Sequence, residues 1–100
     1  MSRGQEDSTW TFLTNHAQVL LAIARSPEGR MRDIAGHVGI TERAAQRIVG
    51  DLVDAGYVKR TRTGRRNSYT VNAKIEMRHR AQQGHPVGEL LDLLELPDQP

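Results

Sequence analysis

Arg43, Gln46 and Arg47 fall within about one turn of a helical pattern, on the side away from its apolar residues. An arginine guanidinium offers two parallel donors that match O6 and N7 of guanine, and a glutamine amide matches adenine in the same two-point way. Three such side chains this close together can reach the edges of neighbouring base pairs at once. Thr41 and Glu42 precede them, where the free N–H groups of a helix start can approach a phosphate. Glu42 could also accept from cytosine, but a first-turn carboxylate stabilises a helix unaided, and that simpler role is adopted. Further on, Arg60, Arg62, Arg65, Arg66 and Asn67 surround Gly64. Guanidiniums on a protruding turn follow a phosphate backbone or enter a narrow minor groove. Arg30 and Arg32 suit backbone contacts of the kind that position a protein without specifying sequence.

These side chains need a scaffold, and the apolar pattern supplies one. Ile34, Ala35 and Val38 recur at helical spacing, followed by Gly39, which takes a left-handed backbone at a helix end for little steric cost. Thr41 is a good N-cap for a second helix, whose inward stripe is Ala45, Ile48, Val49, Leu52 and Val53. Its outer face carries Arg43, Gln46, Arg47 and Gly50, and Gly56 ends it. Small Ala35 and Ala45 suit two helices that cross closely. Tyr57–Thr63 and Asn67–Val71 are β-rich runs, with Gly64-Arg65-Arg66 as the turn between them. Val58, Tyr69 and Val71 can share a buried face, with Arg, Lys, Thr and Asn mostly between them.

Upstream, Thr14 or Asn15 can cap a first helix, with Gln18 as a capping-box partner for Asn15. Ala17, Leu20, Leu21 and Ala24, widened by Val19 and Ile23, make an apolar face broad enough for burial on more than one side. Pro27-Glu28-Gly29 stops that helix near Ser26. Arg30-Met31 is expected to form a short strand that pairs with the hairpin.

A helix–turn–helix followed directly by a basic hairpin is a winged helix. From about residue 15 to residue 71 the chain resembles the winged helix–turn–helix transcriptional regulators of the MarR-like and ArsR-like groups. Ala35 and Gly39 four apart, Thr41 opening the second helix, Asp54-Ala55-Gly56-Tyr57-Val58 and the arginine-rich wing carry the resemblance. It implies a mainly α fold with a small β-hairpin, plus a C-terminal helix in this chain. It also implies a recognition helix reading double-stranded DNA through Thr41, Arg43, Gln46 and Arg47. The chain departs from both groups. MarR-like proteins add long helices that build a dimer and an effector pocket, and only a short C-terminal helix is left here. ArsR-like metal sensors commonly use cysteine ligands, and this chain has none.

A chain of 100 residues makes one small domain that buries roughly two-thirds of its unfolded surface. Trp10, Phe12, Tyr57 and Tyr69 are its aromatic residues, and so modest a core gains from a partner subunit. Charge is uneven along the chain. Residues 1–40 balance at zero, and residues 41–71 carry seven basic against three acidic side chains, a net +4. Residues 72–100 carry three against five, a net −2. Positive charge gathered on the second helix and the hairpin is the footprint of a polyanion-binding face.

Other chemistries fall away. Without cysteine there is no disulfide, thiol catalysis or Cys-ligated metal. His16, His37, His79 and His85 are scattered, and a site built from His79 and His85 with Glu76 or Glu89 loses to ordinary solvent-facing polarity. No metal and no cofactor is expected. There is no glycine-rich phosphate loop and no nucleophile elbow, and Glu89, Asp92 and Glu95 read as the wet side of a helix. No enzymatic activity is expected. The polar N-terminus and the short longest apolar run, Val19–Ala24, suggest a soluble, cytoplasmic protein without membrane contact.

The two ends carry less signal. Residues 1–8 read as a flexible tail leading to Trp10-Thr11-Phe12-Leu13, an apolar anchor for the domain's own core or for a second subunit. Residues 72–85 have no clean stripe and are expected to be a largely extended linker, with a short helix as the rival. Pro86 suits the first position of a last helix, where Val87, Leu90, Leu91 and Leu94 line up before Pro97. The expected organisation is a tail and anchor (1–13), a DNA-binding winged helix (14–71), and a linker with a dimerisation helix (72–100). Trp10, Phe12, Val87, Leu90, Leu91 and Leu94 are the dimer-interface candidates. The expected function is sequence-specific binding of double-stranded DNA by a homodimer on a pseudo-palindromic operator, to regulate transcription. The alternative is a winged-helix protein-interaction module without DNA binding. A small-molecule effector is left open.

Overall fold

Helix α1 (Asn15–Arg25) is the pillar of the molecule, with its six consecutive residues Val19–Ala24 all buried. A helix buries a continuous run only when neighbours cover it on several sides. Here α2 (Met31–Val38), α3 (Glu42–Asp54) and the hairpin of β1 (Val58–Thr63) and β2 (Arg66–Val71) provide the cover. A short α4 (Gly88–Leu93) completes the fold. The computed structural model describes residues 10–99, so the tail expected over residues 1–8 lies outside the described residues. The architecture is a winged helix–turn–helix, mainly α with a small hairpin and a C-terminal helix.

Local chemistry sets the boundaries. Thr14 caps α1, its Oγ1 accepting from Ala17 N–H at 3.1 Å, and Ser26 ends it beside Pro27, which disfavours helical backbone in the residue before it. Gly39 closes α2 at φ +87°, and its N–H and that of Ile40 both reach Ala35 O. Thr41 then caps α3 through Ala44 N–H at 3.1 Å. Two helix ends, each satisfied by its own cap, make the turn between them rigid.

The hairpin pairs Val58 with Val71 at its base and Thr63 with Arg66 at its tip. Arg66 is therefore the first residue of β2, and the turn is the two-residue Gly64-Arg65. Gly64 has φ +63° and Arg65 does not join it at positive φ, the arrangement of a type II′ turn with glycine first. Val58, Tyr69 and Val71 are buried as the alternation requires.

Three expectations are corrected. Arg30-Met31 is no strand: Arg30 is the N-cap of α2 and Met31 its first residue. The Asp33 carboxylate accepts Arg30 N–H at 3.3 Å, while Arg30 O accepts from Asp33 and Ile34. That closes a helical turn where a strand would have to stay extended. Among the described residues the sheet has two strands, and a single backbone bond, Tyr69 N–H to Pro27 O at 3.1 Å, ties this loop to β2.

Residues 72–85 are not an extended linker. They double back, with Glu76 bridging Pro86 and Met77 N–H donating to His85 O. The rival short helix survives as one 3-10 turn, Arg80–Gln82. Tyr57 pins the loop to the base of the hairpin, its hydroxyl donating to Glu76 O at 2.6 Å. The last helix starts at Gly88 rather than Pro86. A Cβ on Gly88 would lie 2.8 Å from Ala73 O, so glycine is what lets α4 approach the chain after β2. Val87 and Leu91 join the residues of α1 and α3 in one hydrophobic cluster.

Candidate nucleic-acid interface

Helix α3 is polarised along its length. Arg43, Gln46 and Arg47 occupy its first half and are exposed, while Asp51 and Asp54 occupy its second. Arg43 and Arg47 are four apart, and like charges at that spacing cost an isolated helix a few tenths of a kcal/mol. A polyanion reverses the sign of that term. Gly50 continues this outer face without a side chain, and nothing lies within 4 Å of where its Cβ would be.

The hairpin changes character from base to tip on one face. Cross-strand pairs sharing that face are Val58 with Val71, then Arg60 with Tyr69, then Arg62 with Asn67. The first pair is core. In the second, the Arg60 guanidinium lies 5.9 Å from the centre of the Tyr69 ring, so a cation covers the outer margin of the core. The third stands in solvent. Arg62 Nε donates to Gly64 O at 3.1 Å across the turn, which stiffens the tip. Arg66 Nη2 donates to Glu28 O at 3.3 Å. With the Tyr69–Pro27 bond, this fastens the wing to the loop between α1 and α2.

That fastening brings Gln46 of α3, the wing tip and the start of α2 around one hollow, which Thr41, Arg43, Arg47, Arg60 and Arg62 do not line. A concavity of 410 Å³ is walled by Gln46 of α3, by Arg65, Arg66 and Asn67 of the wing, and by Arg30 at the start of α2. Glu28 is the one acidic residue lining it. Arg32 is exposed on the first turn of α2 and does not line this concavity. Among the described residues the ion pairs are His16–Asp51 and His85–Glu89, so no arginine is neutralised by a carboxylate there. The linking bonds from Arg66 and Tyr69 span 38 and 42 residues, which no local pattern could announce.

The histidines have structural roles. His16 Nε2–H donates to Asp51 Oδ2 at 2.8 Å, joining α1 to α3, since a carboxylate can only accept. Arg25 Nη1 donates to His37 Nε2 at 3.1 Å, joining α1 to α2. His79 Nδ1 accepts from Ala81 N–H and caps the 3-10 turn. Among the described residues no three His, Cys, Asp or Glu side chains gather as a metal site would require.

The dimer candidates separate by exposure. Val87 and Leu91 are buried in the chain's own core, and Leu90 is half-buried against it. Trp10, Phe12 and Leu94 are exposed, as is Leu93, which the stripe had left out. A six-residue helix is too short for its apolar spacing to show which leucines face inward.

The fold is that of the winged helix–turn–helix regulators, and the sequence comparison agrees. Residues 11–66 match the MarR family, more than half of the chain, and the protein belongs to that family. No curated protein shows a significant match. MarR family members are transcriptional regulators rather than enzymes. No described helix is long and apolar enough to cross a membrane.

Proposed function

We propose that this protein regulates transcription by binding a specific double-stranded DNA sequence as a homodimer. The observation that carries the reading is the shared surface: Gln46 of α3 and Arg65, Arg66 and Asn67 of the wing wall one concavity, and among the described residues neither arginine is paired with a carboxylate. Arg43, Gln46 and Arg47 read base edges in the major groove, and Thr41 presents the start of α3 to a phosphate. Arg62 and Arg65 lie along the adjacent backbone or minor groove, and Arg30 and Arg32 touch the flanking strand. Arg60, held over Tyr69, contributes field more than contact.

Two-fold symmetry makes the operator pseudo-palindromic, with half-sites about one helical turn (~10 bp) or a multiple apart. Selection of bound fragments from random duplex gives the operator directly. Titration of the selected site against salt should give a steep log–log loss of affinity, about 0.9 per neutralised phosphate. No binding to any duplex at low salt would replace this reading with a protein-interaction module.

A further inference from the structure

Phe12 is 92% exposed and Trp10 66% exposed. Their rings meet edge to face, 5.2 Å between centres, and form one apolar knob. Immediately after them in sequence, Ala17 and Leu20 of α1 begin an open groove of 610 Å³, closed on its other sides by Tyr57, Met77, Val87 and Leu90. The His16–Asp51 pair stands among its lining residues.

We propose that the Trp10–Phe12 knob of each protomer seats in this groove on a second copy, reciprocally, about a two-fold axis close to Leu13 and Thr14. The proposal rests on the dimeric part of the function above and supplies its interface. Knob and groove are nearly adjacent in sequence: Trp10 and Thr14 are at most roughly 15 Å apart. A self-complementary interface requires just that, a patch and its complement flanking one axis so that each copy meets the other twice. The size also fits. Each ring buries roughly 150–250 Å², so four rings and the groove surface they cover sum to roughly 1,200–2,000 Å², the range of a specific interface. The groove is floored by the chain's own core residues, so occupying it leaves the DNA-facing half of α3 clear.

The test uses the full chain without DNA, and its optical probe is Trp10, the one tryptophan. Phe12 lies outside any helix or strand, so Phe12→Ser should leave the fold intact. Ala17→Glu places a charge in the groove from the first turn of α1, where a carboxylate suits the helix dipole. By sedimentation, each variant should raise the dimer dissociation constant by on the order of 100-fold, since symmetry removes the contact twice. Ala17→Glu should also red-shift Trp10 emission although it leaves both rings in place. An equimolar mixture of the two variants should associate more tightly than either alone, because the Phe12→Ser groove accepts the Ala17→Glu knob. A dimer indifferent to both variants overturns the proposal. So does a mixture no tighter than its components, or a wild-type chain that stays monomeric at its highest soluble concentration. DNA binding is read separately. Low-salt binding to random duplex by monomeric Phe12→Ser would uphold the DNA reading whatever the fate of the interface, and its absence in the wild type would sink that reading alone.

Discussion

Residues 41–71 and residues 72–99 are consecutive stretches of one fold that spend their side chains in opposite ways. The first turns its arginines outward, none of them paired with a carboxylate among the described residues, and holds them with helix caps, a tight turn and two bonds from the wing back to Pro27 and Glu28. The second is acidic and turns its best apolar residues, Val87 and Leu91, into the core. It is held by distant contacts such as Tyr57 Oη to Glu76 O. The contrast teaches that the basic half presents a surface, while the acidic half finishes the core beneath it. The winged helix here does not end at the wing.

The sharpest way to break this contrast is Leu91→Ala. A residue only 3% exposed should cost about 2–5 kcal/mol of folding stability, read from the urea midpoint. A loss below about 0.5 kcal/mol would make the last helix an appendage and return its leucines to the dimer interface. For the same reason a charge at Leu91 unfolds the chain and says nothing about association.

Arg47→Ala probes the other side. It should weaken binding to the selected operator by about 1–3 kcal/mol and relax the preference at one base pair, with folding unchanged. Equal weakening on every sequence would reassign Arg47 to a phosphate. Tyr57→Phe removes the hydroxyl that joins the two stretches, and should cost about 0.5–1.5 kcal/mol of stability with DNA affinity preserved. A gain in stability would show that the loop after β2 is held by packing alone. The smallest effect belongs to Arg65→Ala at the wing tip. It should lower affinity alike on all sequences and shrink the log–log salt slope by about 0.9. An unchanged slope would take Arg65 off the backbone.

Where the determinants were local, the sequence was legible. Gly39, Thr41 and Gly56 mark helix ends by their own backbone preferences and hydrogen-bonding groups, and the stripe from Ala45 to Leu52 shows its period within a single helix. The hairpin followed from β-rich runs around Gly64, to within one residue at its tip. Arg43, Gln46 and Arg47 were readable as exposed for the same reason, because the apolar stripe of α3 fixes the opposite face. Arg60, Arg62 and Asn67 share a hairpin face with Val58, Tyr69 and Val71, and they are exposed because the hairpin runs out past the core. What could not be read depends on partners far along the chain. The doubling back of residues 72–85 needs Tyr57, and the wing's attachment needs Pro27 and Glu28. Arg30-Met31 was misread although a signal existed: Asp33, three residues on, competes for the Arg30 N–H and starts a helix. On α4, too few turns exist for a period to separate Leu91 from Leu93.

Among the described residues no strand pairs with the outer side of β1, and that carries one more consequence. A two-stranded ribbon with an unpaired edge is a template on which a further strand can grow, from another copy or another protein. Here that edge bristles with Lys59, Arg60 and Arg62, so two such ribbons repel before their backbones can zip together. The cations on the wing thus also guard the free protein against fibrous self-association, and a variant stripped of them should precipitate in concentrated, low-salt solution, where repulsion is least screened, while the native chain stays clear.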